Sequence, residues 1–214
     1  ELRASGIISD NYSPRQEYVR RLVNERDKGT GVLPVPLILR QAVTGEINLS
    51  HKSLGDVPMK IFAEVLDLMP NLRVLNVRDN RLTDASIETL VYAVCHPGAP
   101  DRGCGALESL DLSENDLDMK SVVQLADFLE EDPTLEHLGC SKADIDDSET
   151  VVIMHALETN RNLKRLDLSN NIIGGRNERM QNVFKAFQIK NDVVADDNAG
   201  DTAPGGHAIA NMLD

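Results

Sequence analysis

Few residues in this 214-residue chain have the type and spacing that chemistry demands. Cys95, His96 and Cys104 bracket the stretch Pro97 to Gly103, and three soft donors around one loop could hold a metal ion. Only three are present and none forms a C-x-x-C pair, so the expectation is a variable loop with a half-buried Cys95. Asp196, Asp197, Asn198 and Asp201 lack the alternating ligands and the closing bidentate glutamate of a calcium loop. His137 stands alone, and His51 and His155 have no partner at metal-ligand spacing. No nucleophile, base and orienting acid can be grouped into a triad. Asp146, Asp147 and Ser148 fall where a helix should begin, and capping accounts for them more economically than ion binding. The expectation is therefore a non-catalytic chain with no cofactor and no metal, and function must be sought in a binding surface.

That surface depends on the elements beneath it. Five stretches share one leucine phase, in the frame L-x-x-L-x-L-x-x-N-x-L. Leu72, Leu75, Val77, Asn80 and Leu82 fill it, and Leu107, Leu110, Leu112, Asn115 and Leu117 fill it again. From Leu49 to Val77, Leu112, Cys140 and Leu168 the spacings are 28, 35, 28 and 28 residues, so one repeat carries seven extra residues and the others keep phase. The alternation around Leu75 and Val77 predicts a short strand buried on one side. An asparagine at the turn can donate and accept at once, which suits a column joining neighbouring coils. Asn80, Asn115 and Asn171 occupy that column. Lys52 and Ala143 do not, which predicts looser turns there unless another polar group substitutes.

A helical pattern lies between the strands. Met59, Phe62, Ala63 and Leu66 follow i, i+3, i+4, i+7, and the same register returns at Ile87, Leu90, Val91 and Val94, then at Val122, Leu125, Ala126 and Leu129, then at Thr150, Ile153, Met154 and Leu157. In the fifth repeat it returns two residues late, at Met180, Val183, Phe184 and Phe187. The motif identifies leucine-rich repeats. A repeat of about 28 residues holding a whole helix resembles the ribonuclease-inhibitor-like subclass of these proteins. The resemblance covers roughly residues 44 to 190. It implies an α/β solenoid of about five βα repeats, a horseshoe segment with a parallel sheet on the concave face and helices on the convex face. It also implies protein binding, often through the concave sheet. Members of the subclass include enzyme inhibitors, GTPase activators for Ran, tropomodulin-type actin caps, immune receptors and ciliary or flagellar scaffolds.

Strand parity then names the candidates. With Leu75 and Val77 inward, Val74, Asn76 and Arg78 face the concave side. Their equivalents are Glu46, Asn48 and Ser50; Ser109, Asp111 and Ser113; His137, Gly139 and Ser141; and Arg165, Asp167 and Ser169. Arg78, Asp111, His137, Arg165 and Asp167 are the predicted protein-binding residues. The face has no aromatic anchor, and aromatic residues and arginine are what hot spots favour.

The flanks read differently. Residues 1–43 form an N-terminal helix and a proline-containing capping segment. Ser13, Pro14 and Gln16 make a helix start, predicting a helix from Pro14 to about Glu25 with Tyr18, Val19 and Leu22 on one side. The run from Val32 to Leu39 is too apolar for a free linker and, with Pro34 and Pro36, too proline-rich for a helix. It should lie against the first coil, because an open solenoid must cover its terminal edge. Residues 44–190 hold the repeats. Residues 191–214 have the Asp, Gly and Ala content of a flexible acidic tail.

Net charge is −13, with residues 1–45 slightly basic and the repeats strongly acidic. Nucleic acid rewards the opposite sign and is not expected. No apolar run approaches about 18 residues, so membrane insertion is not expected either. Three cysteines, an odd number, point to a reducing compartment, and Cys140 occupies a strand core position. The expected setting is cytoplasmic, with cytoskeletal or ciliary locations as its narrower forms. A first residue other than Met is expected of a processed chain or of part of a longer one. The expected role is an interaction module or scaffold, as a subunit of a larger assembly such as a ciliary or flagellar complex. The alternatives are a regulator of an enzyme (GTPase activator or inhibitor) or a tropomodulin-like actin-capping module.

Overall fold

Each leucine frame folds into a three-residue strand. In the computed structural model, which describes residues 13–41, 44–95, 107–132, 134–173 and 192–194, these are β1 (Glu46–Asn48), β2 (Val74–Asn76), β3 (Ser109–Asp111), β4 (His137–Gly139) and β5 (Arg165–Asp167). A further strand, β6 (Asp192–Val194), extends the sheet, and all six pair in parallel in chain order. The register sets Ile47, Leu75, Leu110, Leu138, Leu166 and Val193 in one row across it. The sheet is thus one strand longer than the five expected. β6 lies in the segment read as a tail, because average composition conceals the short Val193-Val194 pair that falls one coil beyond β5.

Helices α3 (Asp56–Ala63), α4 (Asp84–Cys95), α5 (Met119–Glu131) and α6 (Asp147–Thr159) follow the first four strands. The predicted inward positions are buried in all four coils. Thr150 sits in one of these apolar slots, its hydroxyl donating to the Asp146 carbonyl at 2.7 Å. The first helix is shorter than its pattern suggested and passes into a 3-10 turn over Leu66–Leu68. Parallel strands stack about 4.8 Å apart whereas packed helices need about 8–10 Å, so the stack curves with the sheet on its inner side. The result is an α/β leucine-rich repeat solenoid.

Asparagines lock successive coils together. The Asn115 carbonyl oxygen accepts from the Asn80 and Leu82 amides at 3.0 and 3.2 Å, and its NH2 donates to the carbonyls of Val77, Leu112 and Ser113. Asn171 serves the Ala143 and Ile145 amides in the same way. At Ala143, where the column is interrupted, its own backbone carbonyl accepts from the Leu117 amide at 3.2 Å. A main-chain group thus substitutes for the missing side chain. At Lys52 the coil is the first of the stack, and Asn80 reaches back to it through the Leu54 amide and the Leu49 carbonyl.

At the N-terminal end, α1 (Pro14–Asp27) begins with the predicted capping box between Ser13 and Gln16. Tyr18 and Leu22 are buried, but Val19 is 44% exposed. Buried Glu17, held by Arg20 and Arg21, flanks the packed face instead. The run after α1, read as too proline-rich for a helix, does contain one, since residues 36–41 form α2 (Pro36–Gln41). Pro36 starts the helix, where a missing N–H matters least. Fully buried Ile38 holds α2 beside β1, and the Val35 amide donates to the Tyr18 hydroxyl at 3.3 Å. The run therefore packs against the first strand. Pro97 to Gly103, the fifth-repeat helix positions and residues 195–214 lie outside the described residues.

Candidate protein-binding face

The concave sheet presents three columns of side chains. The third residue of β1 to β5 is Asn48, Asn76, Asp111, Gly139 and Asp167 in turn. In four of these the side-chain oxygen accepts the amide two residues on, at Ser50, Arg78, Ser113 and Ser169, each at 3.0 Å. This local turn explains why the position favours Asn and Asp. Gly139 cannot make it, and the Ser141 amide donates instead to the Ser113 hydroxyl of the neighbouring coil at 3.0 Å.

The next column departs from simple parity. Ser113, Ser141 and Ser169 were expected on the open face, yet all three are buried. They form a row in which the Ser169 hydroxyl donates to that of Ser141 at 3.0 Å. A small polar side chain can satisfy its hydrogen bonds within the stack and be covered by longer neighbours, which alternation alone does not reveal.

Arg78, Asp111, His137, Arg165 and Asp167 line one hollow of about 350 Å³, floored by Leu110, Leu138 and Gly139. Their circumstances differ. Arg78 donates through Nε to Glu114 at 3.0 Å and through a terminal nitrogen to the same oxygen, and Lys142 approaches that carboxylate at 3.9 Å. Its pKa is raised by the hydrogen bond to Glu114, with the charges of Glu114, Asp111 and Asp167 adding to it. Arg78 is therefore not the free donor its sequence position suggested. His137 and Arg165 are exposed, and neither they nor Asp111 and Asp167 form an ion pair within 4.0 Å among the described residues.

Glu114 and Lys142 were missed in the sequence, and the signal that could have found them is positional. His51, Asp79, Glu114, Lys142 and Asn170 occupy the same turn of successive coils, all with left-handed φ between 49° and 58°. Polar side chains at adjacent turns stand one coil apart and meet, as His51 Nδ1 and Asp79 Oδ2 do at 2.8 Å. Elsewhere, Asp146 caps α6, as its position suggested, in a capping box completed by Glu149. Cys140 is fully buried, and burial, with Asp111 and Asp167 adding, pushes its thiol pKa far up. Among the described residues no group of three His, Cys, Asp or Glu side chains could hold a metal, and no helix is long and apolar enough to cross a membrane.

A Leucine Rich repeat family model matches residues 68–91 and 159–176, covering the second and fifth strand turns. The matched segments coincide with two of the stacked coils, in keeping with the α/β leucine-rich repeat fold. Among curated relatives it is similar to Protein CARMIL of Dictyostelium discoideum, 29% identical over 65% of this chain and 13% of the relative. It is also similar to NACHT, LRR and PYD domains-containing protein 4C of Mus musculus, 26% identical over 66% of this chain and 17% of the relative. The chain thus spans less than a fifth of the length of either. Among solved structures, leiomodin-1 actin-binding site 2 superposes with a TM-score of 0.47 at 15% identity, covering 94% of this chain and 88% of that one.

Proposed function

We propose that this chain is a non-catalytic protein-binding module of the ribonuclease-inhibitor-like subclass, acting through the concave sheet. The observation that carries this is the gathering of Arg165, His137, Asp111 and Asp167, without ion-pair partners among the described residues, around one hollow of the sheet. Hydrogen-bonding groups left in solvent on a rigid face are available to a partner without rearrangement of the fold. The partner is another protein, met in the cytoplasm within a larger assembly such as a cytoskeletal, ciliary or flagellar one. The net charge of −13 disfavours nucleic acid, which rewards the opposite sign.

The test compares wild type with an Arg165→Glu/His137→Glu variant as bait in native extract, with quantitative mass spectrometry. Loss of a defined set of partners from the variant, at unchanged melting temperature, supports the reading. Survival of that set in the variant, and its loss on deleting residues 191–214 or 97–103, would move the interface to the edge. Two solution assays address the alternatives. Slowed pointed-end growth of actin filaments would favour a tropomodulin-like cap, and stimulated GTP hydrolysis by a captured GTPase would favour an enzyme regulator. Intrinsic turnover by the purified chain would overturn the non-catalytic assignment.

A further inference from the structure

The asparagine column has an open end. Asn115 Oδ1 accepts the Asn80 and Leu82 amides, and Asn171 Oδ1 accepts those of Ala143 and Ile145, so each of these asparagines gives the coil before it one acceptor for two amides. In the fifth coil the corresponding amides are those of Asn171 and Ile173. Both residues are buried, and neither amide has an acceptor among the described residues. Buried amides are rarely left unpaired, so an acceptor from beyond the fifth coil is required.

β6 fixes where that acceptor comes from. Val193 is the Cα partner of Leu166 and Val194 that of Asp167, in each case 27 residues further along the chain. The same step carries Asn171 to Asn198. Asp201 then stands three residues past the asparagine, the place taken by Asp118 and Asp146, which cap α5 and α6. In coils one to four the inward helix positions fall 7, 10, 11 and 14 residues past the column, as Ile87, Leu90, Val91 and Val94 do after Asn80. Counted from Asn198 they are Gly205, Ala208, Ile209 and Met212, and Pro204 takes the place that Pro58 has in the first turn of α3. A segment with no place in the stack has no reason to keep an asparagine, a capping aspartate, a first-turn proline and three apolar residues in one register.

We propose that residues 195–213 dock against the open side of the fifth coil as a sixth coil of the solenoid, the Asn198 side chain accepting the Asn171 and Ile173 amides. The inference stands whether or not the concave face binds a partner. It has one consequence for that face. Asp197 takes the turn position of His51, Asp79, Glu114 and Lys142, so acidity read as that of a tail joins the charged rim of the sheet.

Amide hydrogen exchange of the whole 15N-labelled chain tests this. In wild type the Asn171 and Ile173 amides should be protected. Asn198→Ala should speed exchange at both by about tenfold or more, because it removes the acceptor of two buried amides. Ile209→Asp, which sets a charge at an inward helix position, should do the same, whereas Asp197→Ala at the turn should not. The Asn80 and Leu82 amides are the internal reference and should keep their wild-type rates in every variant, since coils of a solenoid contact only their neighbours. Exchange of Asn171 and Ile173 at the rate of an unfolded chain in wild type would overturn the proposal. So would protection that Asn198→Ala and Ile209→Asp leave unchanged, or an equal rise in exchange at Asn80 and Leu82.

Discussion

Replacing Asn115 with alanine should unravel the joint between the second and third coils. Its side chain makes five hydrogen bonds of 2.9 to 3.2 Å, two accepted from the Asn80 and Leu82 amides and three donated to carbonyls. Alanine leaves those two amides without their acceptor at a site where Asn80 and Leu82 are buried. An unmade bond at a buried polar group costs about 1–3 kcal/mol, so the two amides together give about 2–6 kcal/mol, before relaxation. Relaxation has a visible precedent, because at Ala143 a main-chain carbonyl accepts the Leu117 amide in place of a side chain. The expected loss is therefore about 3 kcal/mol, toward the lower half of the range. Urea denaturation followed by circular dichroism measures it, with the slope checked for constancy. Asn115→Asp sharpens the test, since a carboxylate keeps the acceptor but faces three carbonyls without donors, and it should also destabilise. A loss below about 0.5 kcal/mol for alanine, the scale of an ordinary surface change, would refute the account of the asparagine column.

Leu112→Ala removes a fully buried side chain between coils and should cost about 2–5 kcal/mol in the same denaturation experiment. Arg78→Glu places a carboxylate against Glu114 and should lower the melting temperature, whereas Arg165→Glu should stay within about 0.5 kcal/mol of wild type; equal effects would contradict the pairing seen for Arg78. Burial alone would raise the Asp56 pKa, but hydrogen bonds from Ser86 and Thr83 outweigh it and the value is lowered. Its folded pKa is below the unfolded one, so its contribution is complete above the usual carboxylate range and disappears as pH falls through the folded value. Asp56→Asn should accordingly flatten the loss of stability between about pH 4 and pH 2, measured as urea midpoints. With Cys95 and Cys104 replaced by serine, the Cys140 thiol should react with a disulfide reagent only on unfolding, because it is buried and its pKa is raised; rapid native-state labelling would contradict this.

Much of this molecule was legible in the chain because a side chain's direction follows from local periodicity. The strand rows through Leu75 and Leu110, the buried faces of α4 to α6 and the capping residues Ser13 and Asp146 each depend on contacts within a few residues or on an exact multiple of the repeat. The candidates Arg78, Asp111, His137, Arg165 and Asp167 emerged from the same parity. What only the tertiary structure decided lies between coils, where the partner is about 28 or 35 residues away and the outcome depends on side-chain length and on competing groups. Arg78 turns to Glu114, three serines withdraw into a buried row, Ala143 is compensated by its own carbonyl, and the Asp111 carboxylate occupies the space over Gly139. Periodicity tells which way a residue points; the packing of adjacent coils determines what it meets, and so which charges on the concave face are left for a partner.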